Sequence, residues 1–431
     1  MSLAPPAPPA KLGAYPWIVA AALAVVYTFN FLDRQFLSVL AEPVKHDLHL
    51  SDTQLGMLTG LVFALFYTGF GIPIAALADR TSRVRIITIA YALWSLFTAA
   101  CGLASGFGAL AAARMCMGVG EAGGSPPSYS LISDYFPPRR RGVGLAIYSL
   151  GVPFGTLFGA MSGGFIAANF GWRAAFIGLG VAGMVLAPLL PLVVKEPPRG
   201  RYDTAEARAA RPDPFQALGA FIRRPELLFT AVSAGLTAFV GYALLNWSPA
   251  FLMREKHMSL SEIALWYALV SGLSAAAGSW LSGVLVDRLG KARPAAYALV
   301  PGFAVLLSLP FVLAFVFAPT WPLALACLAL PSILNMAYLA PCLAVVQNAT
   351  PPAQRGVAGA LLLFVLNLIG LGGGPLYVGM MSDHFHARYG VHALKAALVS
   401  VSPFFVLAFL CQLGAAYWLE RRARSGVTTT A

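Results

Sequence analysis

The 431-residue chain is 58% hydrophobic and only 11% charged, and its mean hydropathy is +0.74. Soluble domains carry about 25% charged residues, so this composition excludes an ordinary soluble protein and indicates a membrane protein. The formal net charge of +12 would suit a nucleic-acid-binding protein, but the basic residues lie in short loops between apolar segments. We therefore expect no nucleic-acid partner.

Twelve apolar segments are long enough to cross a bilayer, for which a helix needs about 20 residues. Lipid offers no partner to an unpaired backbone amide, so these segments must be helical. The sequence predicts an all-α membrane protein with 12 transmembrane helices in two six-helix bundles. The predicted segments are residues 16–41, 52–78, 84–105, 107–134, 142–168, 173–194, 226–253, 261–287, 293–317, 321–347, 355–382 and 392–420.

The predicted domain organisation follows from where polar stretches interrupt the apolar ones. We expect a disordered cytoplasmic tail over residues 1–15 and an N-terminal bundle over 16–194. A polar, proline-broken cytoplasmic linker over 195–225 leads to a C-terminal bundle over 226–420, followed by a second tail over 421–431.

The distribution of basic residues predicts the orientation in the membrane. With both termini on the cytoplasmic side, 21 of the 29 lysines and arginines fall in cytoplasmic tails and loops, and six fall on the opposite side. Because cytoplasmic loops carry the excess of Lys and Arg, this bias indicates that both termini are cytoplasmic. We expect a monomeric, multi-pass protein of the bacterial inner membrane.

Two loop motifs occur twice, once in each half of the chain. Asp79-Arg80 after the second segment recurs as Asp287-Arg288 after the eighth, and the Pro-Pro…Arg-Gly-Val motif of residues 137–143 recurs at residues 351–357. Motifs repeated in order at equivalent loops indicate a duplicated six-helix unit. Parallel repeats of this kind are typical of alternating-access transporters.

Four charged residues lie within the membrane segments: Asp33, Arg34, Arg114 and Glu121. Each such charge costs about 2.5–3.5 kcal/mol on insertion scales, so we expect these residues to be functional. Neighbouring helix residues project about 100° apart, so Asp33 and Arg34 should not serve one point, whereas Arg114 and Glu121 share a face. A static ion-pair network between the first and fourth helices is the alternative interpretation.

We predict that Glu121 and Asp33 carry the coupling proton and that Arg34 and Arg114 bind the substrate. Glu121 lies in a glycine-rich run, which we expect to leave space around the carboxylate. The equivalent region of the second half is uncharged, so one wall of the site is ionic and the other neutral, as an amphiphilic substrate requires. The predicted substrate-binding residues of that neutral wall are Asn246, Trp247, Asn335 and Tyr338.

The motif Asp79-Arg80-x-x-Arg83 and its second copy resemble the loop motif of the major facilitator superfamily. The resemblance covers nearly the whole chain and implies the major facilitator fold. A carboxylate at one helix end can cap another helix, so we predict a gating latch that forms in one conformation and breaks in the other. Topology marking alone is the alternative. The predicted latch residues are Asp79, Arg80, Arg83, Asp134, Asp287 and Arg288.

Three further motifs resemble the Spinster branch of that superfamily: Asn30-Phe-Leu-Asp33-Arg34, Arg114-x-x-x-Gly-x-Gly-Glu121-Ala and Gly-Trp-Arg173. The resemblance implies proton-linked transport of lysophospholipid or sphingoid-type lipids. It also implies that Asp33, Arg34 and Glu121 match charged cavity residues of the family. A proton-linked organic-anion symporter is the first alternative, and a transport-inactive receptor or scaffold is the second.

Small residues mark predicted contact surfaces between the bundles. The fifth helix carries glycines at intervals of four, and the second, eighth and eleventh helices are also rich in glycine or serine. We expect the second helix to pack on the eleventh and the fifth on the eighth, with packing inside one bundle as the alternative. The glycines of the fifth helix are Gly151, Gly155, Gly159 and Gly163.

No catalytic or nucleotide-binding motif occurs, so we do not expect an enzyme. The five cysteines are scattered without a CxxC pair, and we expect neither disulfides nor a metal site. His384-x-His386 beside Asp383 could nominally bind a metal, but we expect a solvated loop cluster. The expected partners are an amphiphilic or lipid substrate and membrane lipid, with the proton as coupling ion and no cofactor.

Overall fold

The computed structural model describes residues 13–202, 214–289, 293–351 and 354–424, and these residues are almost entirely helical. The N-terminal six helices are α1 (Tyr15–Val39), α2 (Asp52–Ala78), α3 (Arg83–Cys101), α4 (Phe107–Glu121 followed by Ser125–Tyr135), α5 (Pro138–Phe170) and α6 (Trp172–Val193). The next four are α7 (Pro225–Lys256), α8 (Leu260–Leu285), α9 (Ala296–Phe317) and α10 (Trp321–Ala349). The last two are α11 (Arg355–Leu366, Asn367–Gly373 and Gly374–Tyr389) and α12 (Ala393–Val399 and Ser402–Arg424).

Two short helices lie outside these spans, Ala41–Leu48 after α1 and Pro214–Ile222 before α7. The second falls in the stretch predicted as an irregular linker, where the apolar spacing of Phe-Gln-Ala-Leu-Gly-Ala-Phe-Ile suits a helix. We call the membrane face that holds the start of α1 and the end of α12 the terminal face, and the opposite one the far face.

Over the described residues, ten helical stretches are long and apolar enough to cross a membrane. This count agrees with twelve helices because α4 is interrupted and because α11 and α12 fall in one continuous stretch, Arg355–Arg424. The predicted fold of two six-helix bundles is confirmed. The predicted bounds of the linker and tails stay predictions.

The predicted fourth helix over residues 107–134 is present, but it is interrupted. The helix stops at Glu121, turns at residues 122–124 and resumes at Ser125. Pro126 and Pro127 follow the turn, and since proline has no N–H they cannot donate to the carbonyls one turn earlier. Glu121 therefore lies at the C-terminal end of a half-helix in the middle of the molecule.

The α2–α11 contact between the bundles is tight only on the far side. A Cβ on Gly56 would lie 2.5 Å from the Pro375 carbonyl oxygen, and one on Gly60 would lie 2.8 Å from that of Leu371. Nearer the terminal face, Gly69 of α2 has no neighbour within 4 Å of the same position. The bundles thus meet on the far side and part on the terminal side.

The α5–α8 contact is also present, so both predicted inter-bundle helix pairs are confirmed. Gly164 packs against Ala264, and Gly272 packs against Leu157. Residues of α8 and α5 thereby come close enough for backbone contact.

The predicted role of the α5 glycine stripe is wrong. Gly151, Gly155, Gly159 and Gly163 face α1 in the same bundle, where added Cβ atoms would come within 3 Å of its side chains or backbone. The stripe therefore permits close packing of α1 on α5 inside one bundle. A small face indicates that a neighbour is close, but it does not identify the neighbour.

The two halves of α2 provide a matched test of the inter-bundle packing. We expect Gly56→Ala to destabilise the protein by about 1–3 kcal/mol because its Cβ collides with α11 backbone. Gly69→Ala meets open space and should stabilise by up to about 1 kcal/mol through helix propensity. Thermal unfolding of the purified protein in detergent measures both. Equal melting temperatures of the two variants would contradict the close contact at Gly56.

Candidate functional site

A small pocket, called the cleft below, lies between the two bundles. The N-terminal bundle contributes residues of α1, α2 and α4, and the C-terminal bundle contributes residues of α7 and α11. The lining residues are Phe31, Arg34, Gln35, Thr59, Phe63 and Arg114 on one side, and Tyr242, Leu245, Asn246 and Leu371 on the other.

Glu121 is fully buried beside this cleft and links α4 to α1. Its Oε2 accepts hydrogen bonds from the Asn30 amide at 2.8 Å and from Arg34 Nε at 2.9 Å. Its Oε1 has no hydrogen-bond partner among the described residues. One carboxylate oxygen thus accepts two hydrogen bonds, and the other accepts none from the described residues.

The glycines around Glu121 do not leave empty space, contrary to our expectation. A Cβ on Gly120 would lie 2.8 Å from the backbone nitrogen of Trp94, and one on Gly123 would lie 2.7 Å from the side chain of Ala90. These glycines let α3 approach the broken part of α4 closely. The run therefore fixes the position of Glu121 by tight packing.

Arg34 combines an ion pair with contacts to aromatic rings. Its guanidinium carbon lies 4.7 Å from the ring centre of Phe63, 4.8 Å from that of Tyr67 and 5.3 Å from that of Phe31. A cation held over aromatic faces away from water gains from the ring quadrupole. Arg34 can therefore stay charged in the cleft wall while giving Glu121 a partner.

Asp33 points away from Arg34, as the 100° spacing predicts. Its carboxylate accepts a hydrogen bond from Thr98 Oγ1 of α3 at 2.9 Å, and the residue is buried. The cleft lining does not include Asp33. The expectation that Asp33 and Arg34 serve different points is confirmed.

Arg114 is buried in the cleft wall without a carboxylate partner among the described residues. Its Nε donates to the Leu58 carbonyl at 3.2 Å, and its guanidinium lies 5.0 Å from the ring centre of Phe63. Leu58 belongs to a π-helical turn of α2, Met57–Leu61, and such turns often occur at functional sites. The structure records no ion pair between Arg114 and Glu121.

Of the four residues predicted for the neutral wall, Asn246 lines the cleft. The Trp247 indole donates to the Pro375 carbonyl at 2.9 Å, and the Asn335 amide donates to the Thr237 carbonyl at 3.2 Å, so both join helices of the C-terminal bundle. Tyr338 is buried in an apolar cluster of the same bundle. Their predicted role in substrate binding stays a prediction.

Sequence reasoning missed most of the uncharged lining. Tyr242 lies one turn before Asn246 on the same face of α7, and Leu245 adjoins it. The i, i+4 spacing from Asn246 would have identified Tyr242. Leu371 lies in the π-helical segment Asn367–Gly373 of α11, which has no comparable signal in the sequence.

Two of the predicted latch residues, Arg83 and Asp134, meet at the terminal face, but inside the N-terminal bundle. The Arg83 guanidinium, which is buried, contacts the carboxylates of Asp134 and Glu196. Ser82 and the Val84 N–H also donate to Glu196. Although partial burial opposes ionisation, the Val84 N–H and the Arg83 and Ser82 donors together hold the pKa of the Glu196 carboxyl below its usual value.

Among the residues whose side chains are described, Asp79, Arg80 and Arg288 show no comparable ion pair. Asp79 and Arg80 are exposed, and Arg199 donates to the backbone carbonyls around Asp79. Arg288 is exposed, while the side chain of Asp287 lies outside the described residues. Glu196 and Arg199 fall in the predicted linker, and sequence reasoning did not identify them.

Comparisons with known proteins agree with this architecture. The Major Facilitator Superfamily model matches residues 23–375. An MFS-type efflux pump of Mycolicibacterium smegmatis is 36% identical over 406 residues, which are 94% of this chain and 92% of that protein. A hexuronate transporter of Bacillus subtilis is 27% identical over 393 residues, which are 88% of this chain and 91% of that protein.

A solved structure is similar over nearly its whole length. It is the crystal structure of a bacterial homologue of the human lysosomal transporter Spinster in an inward-facing, unoccupied conformation, with a TM-score of 0.86 and 32% sequence identity. The match covers 94% of this chain and 98% of that one. The chain therefore belongs to the major facilitator superfamily, and within it resembles the Spinster transporters.

Proposed function

We propose that this protein is a proton-coupled secondary transporter that moves an amphiphilic, lipid-like substrate of lysophospholipid or sphingoid type by alternating access. One observation carries the proposal: the two bundles contribute chemically different walls to the same cleft. Arg34 and Arg114 line it on one side, with Glu121 behind them, and the opposite side is uncharged.

The charged wall suits an anionic or zwitterionic headgroup. Two guanidinium groups border the cleft, and the planar donor set of arginine matches carboxylate and phosphate oxygens. Arg114 holds only a carbonyl, a thioether sulfur and an aromatic face among the described residues. It is therefore the guanidinium with the most to gain from an anionic ligand.

The neutral wall suits an apolar chain. Tyr242, Leu245 and Leu371 present two aliphatic side chains and one aromatic ring to the cleft, and the Asn246 amide donates to the Tyr242 carbonyl rather than standing unpaired. An alkyl chain placed there gains about 0.8 kcal/mol for each buried methylene. A sugar with hydroxyl groups on every side would find few partners on this wall.

Proton coupling follows from the position of Glu121. A charged carboxylate at membrane depth and at the C-terminal end of a half-helix depends on its donors for stabilisation. Protonation would cancel its charge, release Arg34 from its ion pair and make the wall more positive by one unit. Proton and anionic headgroup would then favour each other's binding, and the coupling is reciprocal by linkage. Asp33, which is buried and accepts a hydrogen bond from Thr98, is the second candidate proton carrier.

We further propose that the terminal face is cytoplasmic and that the protein resides in the bacterial inner membrane. The excess of lysine and arginine in the loops of that face supports this orientation. The conformation described, with the bundles joined on the far side, would then be open toward the cytoplasm.

A proton-linked organic-anion symporter is the second candidate. The hexuronate transporter of B. subtilis supports it, as do the two arginines, which would suit any carboxylate. This candidate leaves the apolar wall without a role. A transport-inactive receptor or scaffold is the third candidate, in which the Arg34–Glu121 pair only holds α1 to α4.

Removing the charge of Glu121 tests the coupling. We expect Glu121→Gln to lower pH-gradient-driven uptake of a lysophospholipid into proteoliposomes at least tenfold, because the amide cannot take up a proton. Substrate exchange without a gradient should persist, since Arg34 and Arg114 remain.

The matched control is Glu262→Gln, which removes a half-buried carboxylate from a capping box where glutamine serves equally well. Uptake in this variant should equal that of the wild type. Gradient-driven uptake that survives Glu121→Gln would contradict coupling through this residue. Absence of any flux in the wild-type protein would favour the scaffold.

Changing the neutral wall separates the two transporter candidates. We expect Leu245→Asn to raise KM for a lysophospholipid about tenfold or more, since it removes roughly 1.5–3 kcal/mol of apolar contact. Leu245→Met, which keeps the wall apolar, should leave KM nearly unchanged. Hexuronate uptake that is faster than lysolipid uptake, and equal in both variants, would overturn the lipid proposal.

A further inference from the structure

A cluster of charged side chains joins the two bundles at the far face, and none of its residues lines the cleft. The N-terminal bundle contributes Glu42 and Lys45 from the short helix Ala41–Leu48, and Asp52 from the start of α2. The C-terminal bundle contributes Arg254 from the end of α7 and Asp383 from α11. None of these residues belongs to the predicted gating latch.

Asp52 is the centre of this far-face cluster. It is 3% exposed, and its two carboxylate oxygens each lie 2.7 Å from a terminal nitrogen of Arg254. Lys45 Nζ lies 2.6 Å from one of these oxygens, and Ser382 Oγ of α11 donates to the other at 2.6 Å. A bidentate arginine–carboxylate pair is among the strongest polar contacts in proteins.

Arg254 also forms an ion pair with a second carboxylate of the N-terminal bundle. Its Nε lies 2.7 Å from Oε1 of Glu42, which is buried. One guanidinium of the C-terminal bundle therefore bridges two carboxylates of the N-terminal bundle. Removing one member of such a pair leaves a buried charge without compensation, which is costly.

Asp383 adds a helix cap that crosses between the bundles. Its two oxygens accept hydrogen bonds from the backbone N–H groups of Asp52 at 3.1 Å and of Thr53 at 2.8 Å. These are the first N–H groups of α2, which have no partner within the helix and carry the positive end of its dipole. The start of α2 is thus stabilised by a carboxylate of α11.

The arrangement has a counterpart at the other end of the same helix pair. The helices α2 and α11 run antiparallel, so α2 ends at the terminal face, where α11 begins at Arg355. The two aspartates occupy similar places: Asp79 follows the last residue of α2, and Asp383 lies near the end of α11. In this conformation Asp383 caps α2, whereas Asp79 is exposed and its side chain caps no described helix.

We propose that the far-face cluster is an inter-bundle lock that keeps the far side closed and the terminal side open, and that it must break before the far side can open. The inference rests on the alternating access of the proposed function, but not on any particular substrate. Because every contact of Arg254 and Asp383 described above reaches the N-terminal bundle, separation of the bundles on the far side would remove them together.

Distances between paired spin labels test the lock without substrate. One pair reports on the far face (Ser105→Cys with Val391→Cys) and one on the terminal face (Arg139→Cys with Arg288→Cys), all four being exposed positions. In a cysteine-free background we expect one dominant short distance for the far-face pair. Arg254→Gln should raise the population with a longer far-face distance about tenfold and shorten the terminal-face distance in the same molecules.

Asp383→Asn changes an exposed position and should shift both distances in the same directions as Arg254→Gln, but by a smaller factor. This variant tests the lock if Arg254→Gln does not fold. Arg388→Gln removes a nearby exposed charge outside the cluster and should change neither distance. Unchanged far-face distances in both cluster variants would overturn the lock. So would far-face widening without terminal-face shortening, since that shows local fraying. Absence of lipid transport by the wild-type protein, together with the expected distance shifts in the variants, would contradict only the proposed substrate.

Discussion

The energetic constraint behind this structure is the burial of ionic groups in a solvent that cannot hydrate them. Glu121 is fully buried, and its single ion pair with Arg34 joins α4 to α1 across the interior of the N-terminal bundle. Such a pair is tolerated because hydrogen bonds and aromatic faces surround it, and it loses much of that support if either partner changes charge. The break in α4 directly after Glu121 and the close approach of α3 both help to hold this carboxylate in one place.

The two walls of the cleft differ, although repeated loop motifs indicate that the bundles that supply them are related. Both halves keep the same helix order and loop motifs, so the C-terminal bundle retains the framework that positions α7 against α1. Its own polar groups, such as Trp247 and Asn335, donate hydrogen bonds to carbonyls of neighbouring helices. Polar groups satisfied inside a bundle are not available to a ligand, and so the charged half dominates the chemistry of the cleft.

The sequence was sufficient for the fold and for the identity of the buried charges, because both depend on where apolar segments and ions lie along the chain. It was not sufficient to show which of the buried charged residues form ion pairs with each other. Helical spacing grouped Arg114 with Glu121, whereas the partner of Glu121 is Arg34 on another helix, which depends on how α1 and α4 rotate and approach. The glycines of α5 likewise indicated a close neighbour but not which one. Lys45 and Arg254 counted only as loop charges, since nothing local in the sequence shows that both meet Asp52.

The two ionic networks on opposite faces differ in one respect that determines what each can do. Arg83 joins Asp134 of α4 to Glu196, which follows α6, so all its partners belong to the same bundle. A rigid rotation of the bundles leaves such a network intact, and it therefore stiffens the N-terminal bundle without favouring either conformation. The contacts of Arg254 with Glu42 and Asp52 cross between the bundles, so the same rotation must break them. A ligand or proton can shift a conformational equilibrium only through contacts that differ between the states. Under the proposed alternating access, the contacts of Arg254 therefore differ between the two conformations, whereas those of Arg83 do not.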